Sequence, residues 1–168
     1  MKTVCVFCGS SPGARPRYLA AARRAGELIG GRGMRMVYGG GATGMMGEVA
    51  RAAVEAGAEV IGIRPSLLDH LEQPQGGIEM IPTPDLFERK QKMIAMSDAF
   101  IVLPGGLGTL DEFFEVVTTA QLRLHAKPVL LVNIEGYFEP LLSLLRHTNA
   151  EGYIYGDFER LFHVVEMP

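Results

Sequence analysis

Ala99-Phe100-Ile101-Val102-Leu103 runs directly into Pro104-Gly105-Gly106-Leu107-Gly108-Thr109 and then Leu110-Asp111-Glu112-Phe113-Phe114. The first five residues are apolar without alternation, the pattern of a strand buried on both faces of a parallel sheet. Proline and glycine end it. From 109 to 122 apolar residues return at helical spacing. The stretch is one strand–loop–helix unit.

The same unit recurs on the N-terminal side. A strand expected over 4–8 leads to Gly9-Ser10-Ser11-Pro12-Gly13, and one over 34–38 leads to Gly39-Gly40-Gly41-Ala42-Thr43-Gly44. Further strands are expected over 60–63, 79–81 and 129–132, with a weak seventh over 161–165. Helices are expected over 17–30, 46–56, 85–96, 109–122 and 137–147, with Thr83 a cap for the third. Strand–helix alternation of this kind predicts a single α/β domain over 1–168, a Rossmann-like doubly wound parallel sheet. Ligands of such sheets bind beyond the carboxyl ends of the strands. The three glycine-rich loops should therefore open on one edge.

The 168 residues are 48% apolar and 21% charged, as in a globular protein. A net charge of −3 argues against a general nucleic-acid binder. No apolar run is long enough for a membrane span, and Met1-Lys2-Thr3 leads into a strand, not a signal peptide, so a cytoplasmic location is expected. Cys5 and Cys8 read as C-x-x-C, but inside a strand residues three apart face opposite ways, so ordinary buried thiols are expected. His70, His125, His147 and His163 lack metal-ligand spacing, and no metal is expected.

Gly39 to Gly44 matches G-x-G-x-x-G. It follows the second strand, however, and the next strand ends at Ile63-Arg64 with no acid to hold a ribose, which disfavours a dinucleotide. The 104–109 loop lacks the Gly-Lys-Ser/Thr of a nucleotide triphosphatase. Its glycines let the backbone approach a ligand, Thr109 can cap the helix, and a helix N-terminus suits a phosphate. Glu112 stands three residues after Thr109. It reads either as half of a capping box or as an acid facing the sugar of a bound phosphate. In Glu88-Arg89-Lys90-Gln91-Lys92, Arg89 can reach the ligand edge, where it would hold anionic groups and keep Glu112 ionised; the plainer reading is a solvated face.

Together with Ser97-Asp98-Ala99, Ala120-Gln121-Leu122, Lys127-Pro128-Val129 and Asn133-Ile134-Glu135-Gly136-Tyr137, these stretches resemble the Lonely-guy family of phosphoribohydrolases, often labelled lysine decarboxylases. The resemblance implies a homodimer without a cofactor that hydrolyses nucleoside 5′-monophosphates to free base and ribose 5-phosphate. It puts the catalytic pair on Arg89 and Glu112 and the phosphate loop on Gly105, Gly106, Leu107, Gly108 and Thr109. A base-side glutamate falls on Glu72, and a threonine near the ligand on Thr118. Gly9, Ser10, Gly40, Gly41 and Lys90 complete the expected substrate-binding set. Phe87, Thr119 and Ala126 depart from the family's usual residues and leave the base preference open. Decarboxylation would need a Schiff-base lysine for pyridoxal phosphate, and the chain has only Lys2, Lys90, Lys92 and Lys127. The alternative reading is a non-catalytic carrier of a nucleotide or phospho-ligand, which would tolerate neutral Glu112. Leu110, Phe113, Phe114, Val117 and Leu122 cover more than one stripe of their helix, which suits either the parent sheet or a second subunit.

Overall fold

The computed structural model describes residues 1–68, 76–155 and 158–168. Its strands are β1 (Thr3–Phe7), β2 (Arg35–Tyr38), β3 (Val60–Pro65), β4 (Glu79–Thr83), β5 (Ala99–Val102), β6 (Val129–Val132) and β7 (His163–Val165). Between them run α1 (Pro16–Gly31), α2 (Gly44–Glu55), α3 (Leu86–Met96), α4 (Leu107–Gln121) and α5 (Glu139–Ala150). The strands form one parallel sheet in the order β4-β3-β2-β1-β5-β6-β7. The weak seventh strand is real but short.

Pleating splits β1 between two cores. Val4, Val6 and Cys8 pack with α1 and α2 on one face. Cys5 and Phe7 pack with α3, α4 and α5 on the other. The two cysteines are therefore free, buried and on opposite faces of the sheet, as their three-residue spacing in a strand requires. Strands built later in the chain lie on both sides of β1, so the direction of winding reverses between β1 and β5. That reversal opens a crevice at the carboxyl ends of these two strands.

Three expected helix starts are corrected. Thr83 does not cap α3: the cap is Asp85, whose carboxylate accepts from the Glu88 N–H at 2.8 Å, while the Thr83 hydroxyl donates to the Asp85 carbonyl. Thr109 does not cap α4, because the helix starts two residues earlier, with Gly106 at the cap position and no side-chain cap bond. Glu112 consequently sits in the second turn of α4 and cannot belong to a capping box. The last helix begins at Glu139, because Ile134–Gly136 forms a separate short turn containing Glu135 at φ 50°.

Candidate active site

Backbone hydrogen bonds draw the three loops together at the crevice. The Gly9 N–H donates to the Pro104 carbonyl at 3.1 Å, and the Met46 N–H to the Gly9 carbonyl at 3.1 Å. The Thr43 hydroxyl, at the cap position of α2, donates to the Ser10 carbonyl at 3.0 Å. Gly105 packs against Gly9, and a methyl group there would overlap the Thr109 side chain, so this contact admits only glycine.

A cleft of about 280 Å³ results. Gly9 and Ser10 form one wall, and Gly106, Leu107, Gly108 and Thr109 another. Val6, Cys8, Gly39 and Met46 contribute the remaining surface around Arg89 and Glu112. The N–H groups of Leu107, Gly108 and Thr109 belong to the first turn of α4 and have no carbonyl one turn back to bond. With the positive end of the helix dipole behind them, they suit an anion. Larger hollows of about 560 Å³ beside α1 and about 960 Å³ beside the end of α4 lie away from these loops.

Among the described residues Glu112 is the one buried carboxylate. Its Oε1 lies 3.5 Å from Nη2 of Arg89, with the two side chains only 9% and 13% exposed. Burial raises the Glu112 pKa from 4.5 to about 7. Arg89 and, more weakly, Lys90 pull it down, while Asp111 adds to the rise. Arg89 favours the ionised form of Glu112, as expected, but loss of solvation outweighs the guanidinium, so the carboxyl is not held fully ionised at neutral pH. A carboxyl group titrating near neutrality can both accept and return a proton at physiological pH. Arg89 Nε is buried without a hydrogen-bond partner among the described residues. Cys8 also lines the cleft, but burial, seconded by Glu112, pushes its thiol far above the usual range. It stays protonated and is a poor nucleophile.

The basic run on α3 divides by direction. Arg89 enters the cleft. Lys90 turns to α4, where Nζ pairs with Asp111 at 2.9 Å and Glu115 at 2.6 Å. Lys92 pairs with Glu88 at 3.6 Å. Gly40 packs on Gly62 and the Arg64 stem, Gly41 is buried, and of the three glycines it is Gly39 that lines the cleft. Thr118 is exposed, about 9 Å along the axis of α4 from Glu112. Glu72 lies outside the described residues. Tyr137 was not singled out by its residue type: its hydroxyl donates to the Gly105 carbonyl at 2.5 Å. Its place in Asn133-Ile134-Glu135-Gly136-Tyr137, just after β6, was the available signal.

A family model described as "Possible lysine decarboxylase" matches residues 46–168. A cytokinin riboside 5′-monophosphate phosphoribohydrolase of Arabidopsis thaliana is 44% identical over 154 residues, covering 91% of this chain and 71% of that one. The enzyme of that name from Rhodococcoides fascians is 42% identical over 155 residues, covering 91% and 78%. The chain belongs to the Lonely-guy family. Among solved structures, a molybdenum cofactor binding protein from Rippkaea orientalis superposes with a TM-score of 0.73 at 26% identity, over 100% of this chain and 91% of that one. A molybdenum cofactor carrier protein from Chlamydomonas reinhardtii gives 0.74 at 21% identity over 99% and 90%, a likeness of fold. Among the described residues no lysine lines the cleft of the Lonely-guy chain, so the decarboxylase label finds no amine there.

Proposed function

We propose that the protein hydrolyses the N-glycosidic bond of nucleoside 5′-monophosphates, AMP or its N6-modified cytokinin forms, to free base and ribose 5-phosphate. The observation that carries this reading is Glu112: buried, paired with Arg89, and titrating near 7 one step beyond an anion-seating helix N-terminus. Glu112 follows Leu107 by about 7.5 Å of helix, close to the length of a ribose between its phosphate and C1′.

The 5′-phosphate sits on the N–H groups of Leu107, Gly108 and Thr109, with Gly9 and Ser10 across the cleft. The C1′–N bond breaks with its electron pair going to the base, and positive charge develops on the ribose ring, as in glycoside hydrolysis. Ionised Glu112 stabilises that charge and takes a proton from the attacking water, whose oxygen bonds to C1′. The same proton then serves the departing base. Arg89, which lines the cleft, holds the ribose hydroxyls or the phosphate through its guanidinium. On the family resemblance Glu72 is assigned to the base side and Thr118 to the neighbourhood of the ligand.

The protein acts as a homodimer. Leu86, Phe87, Leu107, Phe114 and Leu122 leave apolar surface on α3 and α4 exposed, which supports burial against a second copy. The cytoplasm, where nucleoside monophosphates are abundant, is its proposed location. No described helix is long and apolar enough to cross a membrane.

Incubation with a panel of nucleotides and nucleosides, read by chromatography, tests the reading. AMP or N6-substituted AMP should yield free base and ribose 5-phosphate, and adenosine should be a poor substrate because it lacks the positioning phosphate. If every nucleotide stays intact but binds, the carrier reading replaces this one.

A further inference from the structure

Gly39 follows β2 directly, and its backbone does not require glycine: unlike Gly40, at φ 81°, it is not in the left-handed region. What it requires is room. A methyl group on Gly39 would overlap Nη2 of Arg89 and come within 3.2 Å of the Met46 sulfur. Nη2 is also the atom that faces Glu112. The guanidinium thus occupies the space beside Gly39 that a side chain there would fill, on its way from α3 to the cleft. We propose that Gly39 is a positioning residue for the reaction: its missing side chain forms the notch that aims Arg89 at Glu112.

The overlap falls on the far ends of two flexible side chains, so alanine at 39 can be accommodated by moving Arg89 rather than the backbone. Glu112 would then lose the main charge that lowers its pKa. The other titratable groups acting with it are Lys90 on α3, Asp111 beside it on α4, and the protonated thiols of Cys5 and Cys8 from β1. None of these can substitute for Arg89 at Oε1: Lys90 is held by Asp111 and Glu115.

The test is a double-mutant cycle of Gly39→Ala and Arg89→Ala, with Gly31→Ala, which meets nothing within 4 Å, as the inert control. Gly39→Ala should lower turnover on the order of 10²-fold, the scale of misplacing a catalytic group by about 1 Å. It should cost nothing further once Arg89 is alanine, because both changes act through one guanidinium. Any fall in melting temperature should likewise vanish in the Arg89→Ala background, where the methyl has space. Carbon-detected NMR of labelled glutamate should show Glu112 titrating above its wild-type value near 7 in Gly39→Ala. Additive losses, or a Glu112 titration unchanged by Gly39→Ala, overturn the proposal. It rests on the catalytic pair assigned above. If the wild-type protein cleaves no nucleotide, that reading fails, while the melting cycle and the titration still decide the role of Gly39.

Discussion

The Tyr137 hydroxyl, carried on the connection between β6 and α5, donates a 2.5 Å hydrogen bond to the Gly105 carbonyl in the loop between β5 and α4. A trans peptide sets its N–H opposite its carbonyl, so holding the Gly105 oxygen toward Tyr137 turns the Gly106 N–H the other way. The tyrosine ring is itself braced edge-on by Tyr18 at 5.5 Å and by Phe138 at 4.8 Å. The phosphate loop is therefore oriented from outside its own strand and helix.

Tyr137→Phe removes that bond and keeps the ring. Melting should fall by about 1 kcal/mol, the net worth of one hydrogen bond. The KM for nucleotide and the Ki of ribose 5-phosphate should rise by roughly fivefold, with kcat little changed, because the loop holds phosphate in substrate and product alike. Steady-state kinetics checks this; an unaltered KM would show that the loop keeps its orientation without Tyr137.

Glu112→Gln keeps the size of the side chain and removes its charge. Turnover should drop about 10²-fold or more, with circular dichroism unchanged. No helix cap is lost, since α4 starts at Leu107. Retention of near-wild-type hydrolysis by the folded variant would falsify the catalytic role of Glu112.

The same substitution has a thermal signature. Burial raises the Glu112 pKa from 4.5 to about 7 in the folded protein. Its contribution to stability is then fully present below 4.5 and is lost as pH rises through about 7. Glutamine has no such loss. The melting temperature of Glu112→Gln relative to wild type should climb between those pH values, by the equivalent of at most about 3 kcal/mol. A difference that stays flat with pH contradicts the raised pKa.

Activity should follow the carboxylate. Both stabilising charge at C1′ and accepting a proton from water require ionised Glu112, so kcat/KM should fall as pH drops below about 7. The substrate phosphate titrates near ~6 as well. The Glu112→Gln profile isolates that contribution, and the inflection near 7 should be missing from it. Matching profiles in the two proteins would assign the inflection to the substrate.

Lys90 is held between Asp111 and Glu115, away from the cleft surface. Lys90→Met should loosen α3 against α4 and lower the melting temperature, while the KM for nucleotide stays within about twofold, since no ligand contact is removed. A large rise in KM with unchanged melting would return Lys90 to the substrate-binding set.

The strands and glycine loops were legible because their signals are local. An unbroken apolar run such as 99–103 declares a strand buried on two faces, and Pro104-Gly105-Gly106 declares its end, whatever lies elsewhere in the chain. Arg89 and Glu112 could be singled out by residue type and by their resemblance to family motifs. Their neighbours could not be sorted that way. Arg89 and Lys90 are adjacent on one helix, and only the packing of α3 on α4 sends one to the cleft and the other to Asp111. Gly39, Gly40 and Gly41 are equivalent as letters, and only the passage of Arg89 over Gly39 separates them. The pKa of Glu112 is the furthest from sequence of all. The neighbouring arginine does favour an ionised acid, but burial by residues from distant elements outweighs it and moves the pKa to about 7, because solvation is lost to everything that surrounds a group and not to its neighbours in the chain.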